Sequence, residues 1–450
     1  MTSPRALAHV ARLYLVSLFF LLTAFAVPKS ALAEKVIAKG DDWQVYTDGR
    51  VGAFASWVYG QGFPQTLLDA NGNQIRDVKG GGFGAIPEQS ASVNGQPDQG
   101  TINSMRIRSG FIGNTFGLGV RGQVTPWTTV MGYIQFWAYV ESEGRQKNVR
   151  NYADVRQGYA KLEGWWGSLL AGRTRALFSR GATDIDSLYA HRWGVGWPGG
   201  IDSNGPTLGQ IGFGVMGSGF AAGIIYGTPV LKGFQLNVGA FDPIVIPNGG
   251  WTRTKYVRPE TELTFERKFG ETGKVVLFGN GVYQKVYKAG YCVPPTAALP
   301  VPCEDAAFGV GYGGRFELGP VHLGAAGHYG KGLGLNYALE SSDASNDVES
   351  NLRYNDGYYV QTQFVIRKFD LFAGWGIDRV MLTDYDKQPP AAGDMVHSII
   401  KYQMGINAGI VYNVTPNVHL DLDYFRAAAK WFYGESQVVN VTNAGMTFNW

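Results

Sequence analysis

Charge is scarce in this chain: 17% of its 450 residues are Asp, Glu, Lys or Arg. A disordered polypeptide combines high charge with few aromatics, whereas here 25 Phe, 24 Tyr and 12 Trp are present. Mean hydropathy is near zero, which excludes a bundle of several membrane-spanning helices. Only Cys292 and Cys303 supply thiols, with six His in the whole chain, so the Cys-rich ligand sets of structural zinc are missing. What is abundant is Gly, 63 residues. They lack the three-residue period of collagen, and each costs about 1 kcal/mol inside a helix relative to Ala, so a helix-rich enzyme is disfavoured.

Residues 1–33 read as an export signal. Arg5 and Arg12 precede an apolar stretch from Leu13 to Val27, and Ala31-Leu32-Ala33 offers small residues before Glu34. The stretch is too short to cross a bilayer core of about 30 Å as a helix. Removal of 1–33 takes away Arg5, Arg12 and Lys29 and no acid, so the formal charge of +3 falls to zero. A neutral mature chain, 34–450, gives no case for a nucleic-acid partner. In an exported protein Cys292 and Cys303, in the Pro-rich stretch YCVPPTAALPVPCED, are expected to form a loop disulfide.

The mature chain alternates with period two. Val51, Ala53, Ala55 and Trp57 oppose Arg50, Gly52, Phe54 and Ser56, and Ala444, Met446, Phe448 and Trp450 oppose Asn443, Gly445, Thr447 and Asn449. That period is the strand's. About sixteen such segments follow one another without a domain-sized break, their apolar faces end in aromatics, and short joints alternate with long ones. A soluble sandwich shares the alternation, but not these three features together. The expected fold is all-β: a transmembrane antiparallel β-barrel, closed because an open edge in hydrocarbon leaves backbone groups unpaired at several kcal/mol each. The uncharged run from Ile211 to Leu231 competes as a helical span, but its Gly content and the alternation of Phe220, Ala222, Ile224 and Tyr226 favour strand. The segment 102–124 is expected to contain a bulge, since its apolar phase shifts between Ile107 and Phe116.

Three stretches, WQVYTDGRVGAFASW, VRQGYAKLEGWWGSLLAGR and IIYGTPVLKGFQLNVGAF, taken in order, resemble the general diffusion porins of Gram-negative outer membranes. The C-terminal Met446, Phe448 and Trp450 are similar to the assembly signal that ends such barrels. The resemblance implies a homotrimer in outer-membrane lipid, delivered by the outer-membrane assembly machinery. It also implies that the loop after strand five, 174–208, folds inward and narrows the pore, setting carboxylates against arginines on the wall. Asp184, Asp186 and Asp202 lie in that stretch, and Trp197-Pro198-Gly199-Gly200 resembles the loop's tip. The family often has an acid near the tip where this chain has Trp197, so Asp184 or Asp186 would supply the acidic partner. Alternation points Arg50, Arg106, Arg108 and Arg156 inward, and Arg50 and Arg156 match basic positions of the family.

Other motifs read as wall. Gly117-Leu118-Gly119-Val120-Arg121-Gly122 fits a dinucleotide fingerprint but precedes strand-like sequence, with no helix N-terminus to receive a pyrophosphate. His419, Asp421 and Asp423 share one face, as a polar lumen would have them. The expected function is a passive, water-filled channel for small hydrophilic solutes and ions, without catalytic residues, metal or cofactor. Two rivals stand beside it. One is a sugar-selective channel of the maltoporin kind, with Trp193 and Trp197 as lumen aromatics. The other is an outer-membrane hydrolase built on His397, Asp394 and Ser398.

Overall fold

The period-two segments are strands in the structure, a computed structural model that describes residues 34–450 except 63, 65–66, 69–73, 80, 84–100, 110–111, 139–153, 188–209, 245–250, 289–302, 340–342 and 390–395. The expected leader 1–33, Asp394, Trp193, Trp197, Asp202 and Cys292 lie outside the described residues. Cys303 is described and is not a free thiol.

Sixteen strands make the wall. They are β1 (Trp43–Gln61), β2 (in two pieces, Thr101–Arg108 and Asn114–Thr125), β3 (Thr128–Ala138), β4 (Asp154–Gly164), β5 (Gly167–Arg175), β6 (Phe220–Gly227), β7 (Phe234–Phe241) and β8 (Arg258–Phe269). The second half holds β9 (Gly273–Lys288), β10 (Glu304–Leu318), β11 (Val321–Lys331), β12 (Tyr354–Ile366), β13 (Phe369–Val380), β14 (Val396–Asn413), β15 (Val418–Trp431) and β16 (Ser436–Asn449). Each pairs antiparallel with the next, and β16 returns to β1 in a register running from Arg50↔Asn449 to Gly60↔Val439. The sheet is therefore closed. A short leading strand, Lys35–Lys39, continues along β1 beside Gln44–Thr47, just past the end of β16.

The bulge expected near 102–124 is a break in β2. Its first piece pairs with Phe54–Gln61 and its second with Trp43–Arg50, so Val51–Ala53 of β1 falls between the two. Asn114 Oδ1 fills part of the gap by accepting the Gly52 N–H at 2.7 Å. Odd residues Met105 and Ile107 face outward before the break and even residues Phe116, Leu118 and Val120 after it, which is the phase shift seen in the sequence.

At one end of the barrel the connections are tight, such as 126–127, 165–166, 319–320 and 367–368; at the other most are long. The outer face carries exposed Leu118, Leu236, Leu263, Leu277, Val310 and Leu371 in its middle. Trp43, Trp127, Trp165, Phe234 and Phe369 ring the turn end, and Trp57, Tyr283, Tyr329, Tyr354 and Tyr433 stand toward the loop end. An apolar ring of this extent with aromatic borders belongs in lipid, not water. No helix among the described residues is long and apolar enough to cross a membrane.

The interior is uneven. On β4, β5 and β7 the inward Gln157, Tyr159, Lys161, Leu170, Gln235 and Asn237 stay half-exposed, whereas on β12 to β16 the inward Gln361, Asp378, Gln403, Phe425 and Gln437 are buried. Loops cause the difference. An apolar cluster of Phe54, Phe83, Phe213, Phe372, Phe425 and Trp431 joins two of them to that side of the wall.

Candidate pore constriction

Between β5 and β6 the described residues 176–187 and 210–219 turn into the lumen. The neck is closed by the Ala176 N–H, which donates to Gly219 O at 3.3 Å. Ile211 to Gly219 forms the loop's returning limb, and β6 starts at Phe220. The outgoing limb, Ala176–Ser187, contains a short helix, α1 (Arg180–Ile185), laid against β9, β10 and β11.

Glycine makes room for both limbs. A Cβ on inward-facing Gly309 of β10 would stand 2.6 Å from the Phe178 ring, and one on Gly181 of α1 would clash with Phe278. Under the returning limb, a Cβ on Gly405 would come within 2.8 Å of the Phe213 ring, and one on Gly376 would strike the Phe213 carbonyl oxygen. The Gly content of these strands therefore clears wall space for another stretch of backbone.

Buried carboxylates hold the limbs by their backbone N–H groups. Glu260 Oε2 on β8 accepts from Leu177 N and Phe178 N, both at 2.8 Å, while its Oε1 accepts from Arg258 Nε at 2.8 Å. Asp186 accepts from Gln210 N at 2.8 Å and from Gln361 Nε2 at 2.9 Å. Asp378 on β13 accepts from Gly214 N at 2.9 Å. Charge-assisted bonds of this kind are about twice as strong as neutral ones, and an N–H left without an acceptor would cost about 1–3 kcal/mol. The loop is pinned to the wall.

Guanidinium groups gather at its start. Arg175, at the end of β5, bridges Asp184 at 2.7 Å and also bonds Thr183. Arg180 pairs with Glu262 of β8. Arg156, the extra residue of a bulge where β4 passes β3, bridges Asp154 at 2.6 Å and stacks over Trp137 and Phe220, with ring centroids at 4.9 and 5.9 Å. The side chains of Arg156, Arg175 and Arg180 keep 19%, 22% and 25% exposure, against 2% for Glu262. Asp154 and Asp184 keep 31% and 45%, so in these three pairs three accessible cations face two accessible acids.

The structure brings together only part of the expected set. Asp184 sits beside Arg175, with which it forms an ion pair at 2.7 Å. Asp186, expected as a lumen charge, is 2% exposed and taken up by the loop's own backbone. Arg50 does point inward, yet it is buried on the packed side, where Asp421 is its electrostatic partner. The register sets Arg106 opposite Ser56 and Arg108 opposite Phe54; their side chains are not among those described. Met446 and Phe448 are exposed on the outer face, and Trp450 stacks on Phe448 at 5.8 Å. Arg175, Arg180, Glu260 and Glu262 went unnoticed in the sequence, although Glu260 and Glu262 lie two apart on one face of a strand. Of the hydrolase constellation, Asp394 lies outside the described residues; His397 Nδ1 meets Asp77 at 2.6 Å, and the neighbouring Ser398 donates to Glu435 at 2.5 Å.

No protein-family model and no curated protein matches the sequence. Solved structures do resemble the barrel. The outer membrane channel DcaP of Acinetobacter baumannii is 15% identical, with 92% of this chain and 99% of that chain covered and a TM-score of 0.62. An anion-selective porin from Comamonas acidovorans is 12% identical, covering 91% and 100%, with a TM-score of 0.54. Salmonella typhi OmpF, solved in complex with daunomycin, is 11% identical, covering 92% and 99%, with a TM-score of 0.50. What this chain shares with them is the fold, a closed sixteen-stranded antiparallel β-barrel.

Proposed function

We propose that the protein is an outer-membrane porin, a passive aqueous channel for small hydrophilic solutes and ions, exported by cleavage after Ala33 and not an enzyme. The inward loop carries this reading: it narrows one side of a lumen whose other side stays half-exposed and polar. Fixed charges across a narrow section orient polar solutes, while its width sets a size limit. A homotrimer is part of the proposal, with the small outward residues Val51, Ala53 and Ala55 of β1 suited to close contact between barrels. So is a Cys292–Cys303 disulfide in the β9–β10 loop.

Weak anion preference follows from the charges. Glu260, Glu262, Asp186 and Asp378 are buried, leaving Arg156, Arg175 and Arg180 facing mainly Asp154 and Asp184. In a planar bilayer under a salt gradient, the zero-current potential should carry the anion sign, and Arg156→Ala or Arg175→Ala should each move it toward cations. A marked cation preference in the parent channel would count against the assignment.

One observation bears on the sugar-selective rival. Tyr46 stacks on Tyr133 at 6.3 Å, Tyr159 packs tilted against Tyr133 at 5.4 Å, and Asp48 accepts from the Tyr133 hydroxyl at 2.9 Å. These rings pack against one another, so millimolar oligosaccharide should leave the conductance unchanged; block would favour the rival.

A further inference from the structure

We propose that the passage is bounded by two loops rather than one: residues 81–83, from the β1–β2 loop, wedge the returning limb of the inward loop in place, and Gln403 ties the two together. The proposal rests on the channel reading and adds the element that positions its narrowest part.

Gln403 of β14 is 2% exposed. Its Oε1 accepts the Gly82 N–H at 3.0 Å, and its Nε2 donates to Gly212 O at 3.2 Å. One side-chain amide thus bonds both loops at once. Gln437 of β16 holds the next residue from both sides, accepting the Phe83 N–H at 2.7 Å and donating to Phe83 O at 2.8 Å. The Phe83 ring, fully buried, lies 6.2 Å from that of Phe213, which meets Phe425 of β15 edge-on at 4.8 Å. Phe213 is therefore fixed between the wall and a residue from another loop.

The first loop is itself fastened to the rim. Its short strand Gln74–Lys79 pairs in parallel with the start of β14, Arg76 bridges Glu435 at 3.2 Å, and Asp77 meets His397. The returning limb has no regular structure of its own, and Gly212 and Gly214 stand at φ of +80° and +102°, so its course depends on what it touches. Removing Phe83 takes away one whole side of the Phe213 pocket. The limb then gains freedom toward the open part of the lumen, and the passage widens.

The test uses the full-length refolded protein in planar bilayers, recording unitary conductance and the size of polyethylene glycol that no longer enters. Folding is checked by heat-modifiable migration. Phe83→Ala should raise the conductance on the order of twofold and shift the polymer cut-off upward, because conductance follows the narrowest cross-section. Gln403→Leu, which removes both bonds but keeps the volume, should change both readouts in the same direction. Phe83→Leu, which largely refills the pocket, should return them toward the parent. A wedge that only stabilised the barrel would reduce the yield of folded channels and leave each channel's conductance and cut-off alone. Parental values in folded Phe83→Ala channels, or in Gln403→Leu channels where Phe83→Ala does not fold, overturn the proposal. A parent that folds but does not conduct overturns the channel reading, and the two-loop constriction falls with it.

Discussion

A Glu260→Ala channel should conduct more than the parent and fluctuate more, while the barrel around it remains folded. Three groups depend on that carboxylate: the N–H groups of Leu177 and Phe178 and the guanidinium of Arg258, itself only 2% exposed. Breaking a buried ion pair by deleting one partner costs about 3–5 kcal/mol, and each orphaned N–H adds about 1–3 kcal/mol. The wall cannot relieve this penalty, since β8 is paired on both sides from Glu260 to Phe265. The loop can, by lifting off β8 and letting water reach Arg258 and its own backbone. The loss should therefore appear as displacement of the outgoing limb, seen as larger and noisier unitary conductance at unchanged heat-modifiable migration. Glu260→Gln keeps an oxygen for the N–H groups and loses only the charge opposite Arg258, so its effect should be smaller. Folded Glu260→Ala channels with parental conductance would show that the outgoing limb does not bound the passage.

The wall was legible because hydrocarbon imposes a strict rule. Each strand must alternate, each edge must close, and a change in the parity of outward residues must be paid for by a bulge, as between Ile107 and Phe116 in β2. The inside obeys no such rule. Alternation correctly turned Arg50 and Asp421 inward, but facing inward is not the same as facing water: on β12 to β16 inward residues meet loops instead. Asp186, which the resemblance offered as a lumen charge, lies where the loop meets that wall and is an acceptor for Gln210 N and Gln361. The path of the loop had left a trace in the sequence, since Gly309, Gly376 and Gly405 occupy inward positions where a lumen wall would tolerate a side chain. Gly132, with nothing within 4 Å of its Cβ position, stands on the outer face opposite Val120 and is separated by parity; which inward Gly lies under a loop depends on partners far away in sequence. Arg175 and Arg180 were missed for a related reason: they stand where strand passes into loop, and alternation says nothing about direction there.

Closure of the sheet should fail, or nearly so, in Gly49→Val. The Gly49 N–H donates to Trp450 O, and the Trp450 N–H donates to Gly49 O, each at 3.0 Å, making the last rung of the β1–β16 seam. The Trp450 ring occupies the space that a Cβ on Gly49 would need. A valine can be accommodated only by moving that ring, and the ring is attached to the residue that makes both bonds. Trp450 is further tied in by its stack on Phe448 and by Asn449, whose N–H donates to Asn417 O at 2.8 Å. Shifting it disturbs the start of the seam, and in hydrocarbon an opened edge costs several kcal/mol for every backbone group left unpaired. Refolding into lipid, followed by heat-modifiable migration and tryptophan fluorescence, should show a large fall in the folded fraction for Gly49→Val. Adding Trp450→Ala to the same chain removes the obstructing ring but keeps the backbone rung, so the double variant should refold better than Gly49→Val alone. That recovery separates steric obstruction at the seam from loss of a terminal recognition signal, which removal of Trp450 could only worsen. Parental refolding of Gly49→Val would mean that the seam does not close over Gly49 in the way the bonds to Trp450 require.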